Sequence, residues 1–153
     1  MARAFVALGA NLGDREATIR AALAALDADP GVRVVAVSSL RETEPVGYLD
    51  QPAFLNGAAE LDTTLGPRAL LELLLAVERR FGRRREGVPP QGPRTLDLDL
   101  LLLESAEIDE PGLTIPHPRL HERRFVLEPL AELDPFLEVP GKGEVQALLA
   151  ELH

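Results

Sequence analysis

The sequence predicts an α+β fold built on one antiparallel sheet, and three observations support this. Apolar residues recur at helical spacing in two separated stretches, near residues 15–28 and 67–80. Four runs rich in β-branched residues or leucine lie around them, near 3–9, 32–40, 54–65 and 95–103. The resulting order, βαββαβ, is that of a split-βαβ, ferredoxin-like sheet, and further helical segments follow it. The two crossover helices would cover one face and the C-terminal helices the other, giving three layers.

Residues 3–9 form the first strand. The turn Gly9-Ala10-Asn11-Leu12-Gly13 ends it and reads as structural, and Asp14 is placed to cap a helix. Ala17, Ile19, Ala21, Ala22, Leu23, Ala25 and Leu26 supply the apolar pattern of that helix, and Asp29-Pro30-Gly31 stops it. Residues 32–40 are β-branched and strand-like, whereas 41–53, with Pro45, Gly47 and Pro52, read as a long loop. Leu55, Gly57, Ala59 and Leu61 alternate along the third strand. Gly66-Pro67 opens the second helix, with proline where its missing N–H is harmless. Residues 82–93 form a second loop and Thr95 to Leu103 the fourth strand. Pro111, Pro116 and Pro118 follow, then a helix near Glu122–Glu132 and another over 143–151.

A length of 153 residues suits one domain, 1–153, with its own core. The chain lacks cysteine, which excludes disulfides, thiolate metal sites and cysteine nucleophiles and fits a reducing cytoplasm. The N-terminal apolar run is too short for a signal peptide, and no stretch reaches the roughly 18 apolar residues of a membrane helix. A net charge of −9 speaks against nucleic-acid partners. The basic residues are 15 arginines and one lysine, Lys142, which sits in neither a P-loop nor a kinase strand. Any phosphate chemistry must therefore rest on arginine.

Gln91-Gly92-Pro93-Arg94-Thr95-Leu96-Asp97-Leu98-Asp99 leads into a leucine run. Strand alternation puts Arg94, Leu96, Leu98, Leu100 and Leu102 on one face and Thr95, Asp97 and Asp99 on the other. The two carboxylates then stand about 7 Å apart, at ~3.3 Å per residue. Like charges so close call for cations, arginines or water, and oxygen-only donors suit Mg²⁺ with waters and substrate phosphates. A solvated strand end whose acids pair with Arg83, Arg84 and Arg85 is the plainer alternative. Between Arg79 and Arg94 lie six arginines and one acid, a local +5. Such a segment can grip a triphosphate opposite a metal, or simply favour a negative helix terminus. In Thr114-Ile115-Pro116-His117-Pro118-Arg119-Leu120-His121-Glu122-Arg123, the two histidines stand at i, i+4, which could place them on one helix face as metal ligands, but no Glu follows the first, so the zincin pattern fails. There His117 and Arg123 are candidates for phosphate contacts, and His121 for a capping role.

Together these segments resemble the 6-hydroxymethyl-7,8-dihydropterin pyrophosphokinase family. The resemblance rests on Gly92-Pro93-Arg94-Thr95-Leu96-Asp97-Leu98-Asp99, on Leu8-Gly9-Ala10-Asn11-Leu12-Gly13, on Asp50-Gln51-Pro52-Ala53-Phe54-Leu55-Asn56 and on Leu113-Thr114-Ile115-Pro116-His117. It implies an ATP-dependent diphosphotransferase of folate biosynthesis. MgATP would donate its β,γ-diphosphate to the hydroxymethyl group of a reduced pterin, leaving AMP. By motif match, Asp97 and Asp99 would ligate two Mg²⁺, with Arg83 and Arg94 catalytic beside them. Glu78, Arg85, Thr114, His117 and Arg123 would bind the nucleotide. Thr43, Val46, Phe54, Asn56 and Phe125 would form the pterin pocket. The partners would be small molecules alone, met by a monomer. The chain departs from the family at Pro90-Gln91, where many members carry Arg-Trp, at Gly112, where arginine is frequent, and at Pro118, where an aromatic is common.

Two other classes fit parts of the pattern. A different two-metal phosphate-processing enzyme would share the Asp-x-Asp pair, but a nuclease would want a basic face. A non-catalytic ferredoxin-like binding module leaves the arginine segment without a purpose.

Overall fold

The computed structural model describes residues 1–44, 52–81 and 96–152. The sheet strands are β1 (Ala2–Ala10), β2 (Val32–Val37), β3 (Arg41–Thr43), β4 (Phe54–Thr63) and β5 (Asp97–Leu103). Helix α1 (Arg15–Asp27) follows β1, and α2 (Pro67–Arg80) follows β4. The sheet runs β2-β4-β1-β5, with β3 also paired to β4, and every neighbouring pair is antiparallel. Beyond it lie the hairpin β6 (Ile108–Glu110) and β7 (Leu113–Ile115), α3 (Arg124–Leu133), the small pair β8 (Glu138–Val139) and β9 (Gly143–Glu144), and α4 (Val145–Glu151).

Local sequence explains the helix ends. The Asp14 side chain accepts the Ala17 N–H at 3.2 Å and caps α1. Pro67 occupies the first turn of α2, and Arg79 and Arg80 lie in its last turn, where the helix dipole favours cations.

Alternation along β1 separates two apolar layers. Ala4, Val6, Leu8 and Ala10 join Ile19, Ala22 and Leu26 of α1 and Leu70, Leu74 and Val77 of α2. Phe5 joins Val126, Leu127 and Leu130 of α3 and Val145 and Leu148 of α4. Each fully buried leucine contributes roughly 1.5–3 kcal/mol relative to exposure. Ion pairs tie α3 to its face of the sheet. Arg3 reaches Glu60 and Asp134 at 3.0 Å each, and Arg41 reaches Glu132 at 2.7 Å. Among the described residues, no helix is long and apolar enough to cross a membrane.

Three expectations need correction. Residues 41–53 are not loop throughout: Arg41–Thr43 is a strand, in register with Phe54–Asn56. Ser38 makes the bend between β2 and β3, because its backbone N–H and its side-chain oxygen each bond to Ala58 at 2.9 Å. Secondly, Leu102 does not share a face with Leu96, Leu98 and Leu100. The β1–β5 register shifts between Phe5 and Val6, so Leu101 is left over and the alternation reverses. Leu101 and Leu102 thus pack in the α3 layer while Leu103 returns to the other. Thirdly, the proline-marked segment is not irregular throughout: it contains the β6–β7 hairpin and a 3₁₀ turn at Leu120–Glu122, while the helix expected near 122–132 is present as α3. His117 precedes that turn, so His117 and His121 share no helix face. The expected 82–93 loop and Thr95 lie outside the described residues, as do residues 45–51 of the first loop.

Candidate active site

Register places the acids. Asp97 stands opposite Gly9 and Asp99 opposite Ala7, so both carboxylates leave the sheet on the α3 side. Gly9 is in turn opposite Asn56, and Asn56 opposite Arg41. One row therefore crosses the sheet from Asp97 through Gly9 to Asn56. Glycine matters in that row. A Cβ on Gly9 would stand 3.0 Å from Asn56 Oδ1 and 3.9 Å from Asp97 Cβ, crowding the floor between acid and amide.

Above this floor lies a cavity of about 270 Å³. Its walls include Thr43, Phe54, Asn56, Asp97, Asp99, His117, Arg123 and Phe125. Leu8, Gly9 and Glu44 line it too, and the sequence reading had assigned none of them to a site. The register across three strands makes the end of β1 a floor, and a single strand's pattern cannot carry that information. Thr43 and Phe54 are opposite partners on β3 and β4, and the Asn56 side-chain amide donates to Thr43 Oγ1. Phe125 sits in the first turn of α3, with the Arg123 guanidinium 5.6 Å from its ring centroid.

His117 is fixed three ways. Its backbone N–H donates to the Leu101 carbonyl at 3.0 Å, its carbonyl accepts the Leu120 N–H at 3.1 Å, and its ring Nδ1 accepts the Arg119 N–H at 3.2 Å. Burial pushes its pKa down, Arg123 adds to the effect, and Asp97 opposes it. An acceptor at Nδ1 leaves the proton of the neutral ring on Nε2.

Two of the described candidates do not reach the cavity wall. Thr114 is exposed on β7. Glu78 is 2% exposed near the end of α2, where its carboxylate accepts the Leu98 N–H at 2.7 Å. It thereby holds the residue between the two aspartates. Val46, Arg83, Arg85 and Arg94 lie outside the described residues.

The donor set fits magnesium. Asp97 and Asp99 are half-buried oxygen donors facing one cavity. Among the described residues, no three His, Cys, Asp or Glu side chains gather into a metal cage. Mg²⁺ suits such a site because it takes one or two carboxylates and completes its shell with water and phosphate oxygens.

The chain is similar to known proteins over most of its length. Residues 5–135 match the family described as 7,8-dihydro-6-hydroxymethylpterin-pyrophosphokinase (HPPK). The 2-amino-4-hydroxy-6-hydroxymethyldihydropteridine pyrophosphokinase of Bacillus subtilis (strain 168) is 52% identical over 130 residues, covering 85% of this chain and 77% of that protein. The Pseudomonas aeruginosa protein of the same name is 47% identical over 148 residues, covering 97% of this chain and 90% of that one. Among solved structures, an HPPK-DHPS chain crystallised in complex with substrates superposes with a TM-score of 0.78 at 12% identity. That likeness speaks for the fold alone; it covers 97% of this chain, which spans 43% of the longer one.

Proposed function

The chain belongs to the 7,8-dihydro-6-hydroxymethylpterin-pyrophosphokinase family, and from that premise we propose that it transfers the β,γ-diphosphate of MgATP to the hydroxymethyl group of 6-hydroxymethyl-7,8-dihydropterin, releasing AMP, as a pyrophosphokinase of folate synthesis. One observation carries the assignment of roles: a single cavity gathers two carboxylates, two phenylalanines, an amide, a histidine and an arginine from β4, β5, α3 and the segment leading into α3.

The pterin ring stacks between Phe54 and Phe125, because a flat heterocycle gains most from aromatic faces. Asn56 reads its amide edge, since a carboxamide both donates and accepts. The bond to Thr43 fixes the Asn56 amide, and the missing side chain at Gly9 keeps its oxygen open. The hydroxymethyl oxygen attacks the β-phosphorus. A new O–P bond forms, the bond from that phosphorus to the α,β-bridging oxygen breaks, and the hydroxyl proton leaves to solvent. AMP departs with the bridging oxygen. No protein nucleophile is needed, so catalysis is positioning plus charge stabilisation.

Asp97 and Asp99 would hold two Mg²⁺, which when bound neutralise phosphate charge and acidify the attacking hydroxyl. Glu78 keeps β5 at the height those carboxylates need, through Leu98. His117 presents its Nε2–H, and Arg123 its guanidinium, to phosphate oxygens. Arg83, Arg85 and Arg94 are assigned to the phosphates, Val46 to the pterin and Thr114 to the nucleotide, from sequence alone. The same reading takes residues 1–153 as one ferredoxin-like, three-layer domain, supported by the β2-β4-β1-β5 order and by helices on both faces. It has the domain act as a monomer on small molecules in the cytoplasm.

The test is product analysis. With MgATP and the reduced pterin, AMP should accumulate in step with pterin consumed. Asp97→Asn and Asp99→Asn should each lower turnover by about 10³-fold or more while the protein stays folded, as expected when charge stabilisation is lost. ADP as product would refute diphosphoryl transfer, and near-normal rates in either variant would refute the metal assignment.

A further inference from the structure

Arg15 stands at the first position of α1, beside the positive end of the helix dipole. That placement is locally unfavourable, so its side chain invites a non-local explanation. The guanidinium bridges β3 and the residue that leads into β4. One nitrogen donates to the Ala53 carbonyl at 2.9 Å, and another pairs with the Glu42 carboxylate. Ala53 directly precedes Phe54, and Glu42 directly precedes Thr43. Phe54 and Thr43 are opposite partners in register, and both line the cavity. Each anchor is therefore one residue from a pocket side chain.

The strand so anchored needs help. β3 has only three paired residues, and a strand of that length at a sheet edge has little stability of its own. A second tie lies beside the first: Asn11, 2% exposed, donates its side-chain amide to the Pro52 carbonyl at 3.1 Å. Arg15 belongs to the α1 layer, on the opposite face of the sheet from the cavity, because Glu42 and Thr43 point to opposite sides. Arg15 is not part of the cavity wall and works through Ala53 and Glu42.

We propose that Arg15 is a positioning residue for the pterin: by stapling Glu42 to Ala53 it sets the separation of Thr43 from Phe54 and Asn56, and so the pocket's affinity for the flat substrate. The proposal rests on the pterin reading above. Losing a charged, bridging contact of this kind should weaken pterin binding on the order of tenfold.

The experiment uses the full chain. Wild-type turnover with MgATP and 6-hydroxymethyl-7,8-dihydropterin is measured first; its absence would overturn the functional reading itself. Then KM for each substrate and kcat are compared for Arg15→Ala, Glu42→Gln and the control Arg20→Ala, whose side chain pairs along the helix surface with Glu16. In Arg15→Ala the pterin KM should rise on the order of tenfold while kcat and the ATP KM change less than about twofold. Arg20→Ala should leave all three unchanged. A lower melting temperature with an unchanged pterin KM would show a merely structural residue and overturn the proposal. Should Arg15→Ala fail to fold, Glu42→Gln decides, because it alters only the exposed ionic arm. A rise of about threefold in pterin KM supports the staple, and an unchanged KM refutes it.

Discussion

Replacing Glu78 separates support of the metal strand from direct contact with substrate. Its carboxylate is 2% exposed and accepts the Leu98 N–H at 2.7 Å. Glu78→Ala leaves that N–H in a buried place without its acceptor. A hydrogen bond to a charged group contributes about 1.5–3 kcal/mol. In a chain of 153 residues each kcal/mol moves the melting temperature by about 2–4 °C, so Glu78→Ala should melt about 3–12 °C lower. Glu78→Gln keeps an oxygen at the same reach for the Leu98 N–H and weakens that bond by the loss of charge assistance, about 1 kcal/mol, or about 2–4 °C. Activity should follow the same order. Alanine frees β5 at Leu98, between Asp97 and Asp99, and misplacement by about 1 Å costs on the order of 10²-fold in rate. Glutamine should retain most of the rate. Thermal unfolding and AMP release, measured on the same preparations, make the comparison. An alanine variant that melts like wild type, or a glutamine variant as inactive as alanine, would refute the anchoring role.

Other predictions follow from single contacts. Because His117 Nδ1 already accepts a backbone N–H, its useful proton is on Nε2. Glutamine can place an N–H near that position and asparagine cannot, so His117→Gln should keep about tenfold more kcat/KM than His117→Asn; equal losses would contradict the tautomer. Glu132 accepts the Ser39 hydroxyl and backbone N–H at 2.6 Å each, and these bonds, with Arg41, hold its pKa below the usual carboxylate value. A depressed folded-state pKa means that this stabilisation is present above about pH 4.5, the ordinary value, and is lost as pH falls through the folded one. Denaturant titrations between about pH 5 and 3 should therefore show a shallower loss of stability for Glu132→Gln than for wild type.

The main elements of the fold were legible because they are long and strongly patterned: the Pro67 start, the Asp14 cap and the β-branched run at Val32 each act through near neighbours. What escaped was short or non-local. Arg41–Thr43, Ile108–Glu110 and Leu113–Ile115 have three residues each, too few for a period to emerge. The reversed facing of Leu102 depends on where β1 slips against β5, which no residue on β5 encodes alone. The site shows the same division. Asp97 and Asp99 could be placed on one face from alternation, and Phe54, Asn56, His117 and Phe125 were named through resemblance. That Gly9 forms the floor between acid and amide requires three strands in register. The buried position of Glu78 follows from the stripe of α2, since Leu70, Leu74, Val77 and Glu78 are the residues it buries, yet its bond to Leu98 needed the strand in place.

The central claim is that two phosphoryl groups move together. The most direct measurement supplies the enzyme with MgATP labelled at the β-phosphorus, together with 6-hydroxymethyl-7,8-dihydropterin, and then locates the label. Diphosphoryl transfer places it on the pterin product and leaves the AMP unlabelled. Label retained in ADP, with an unlabelled pterin phosphate, would contradict the account.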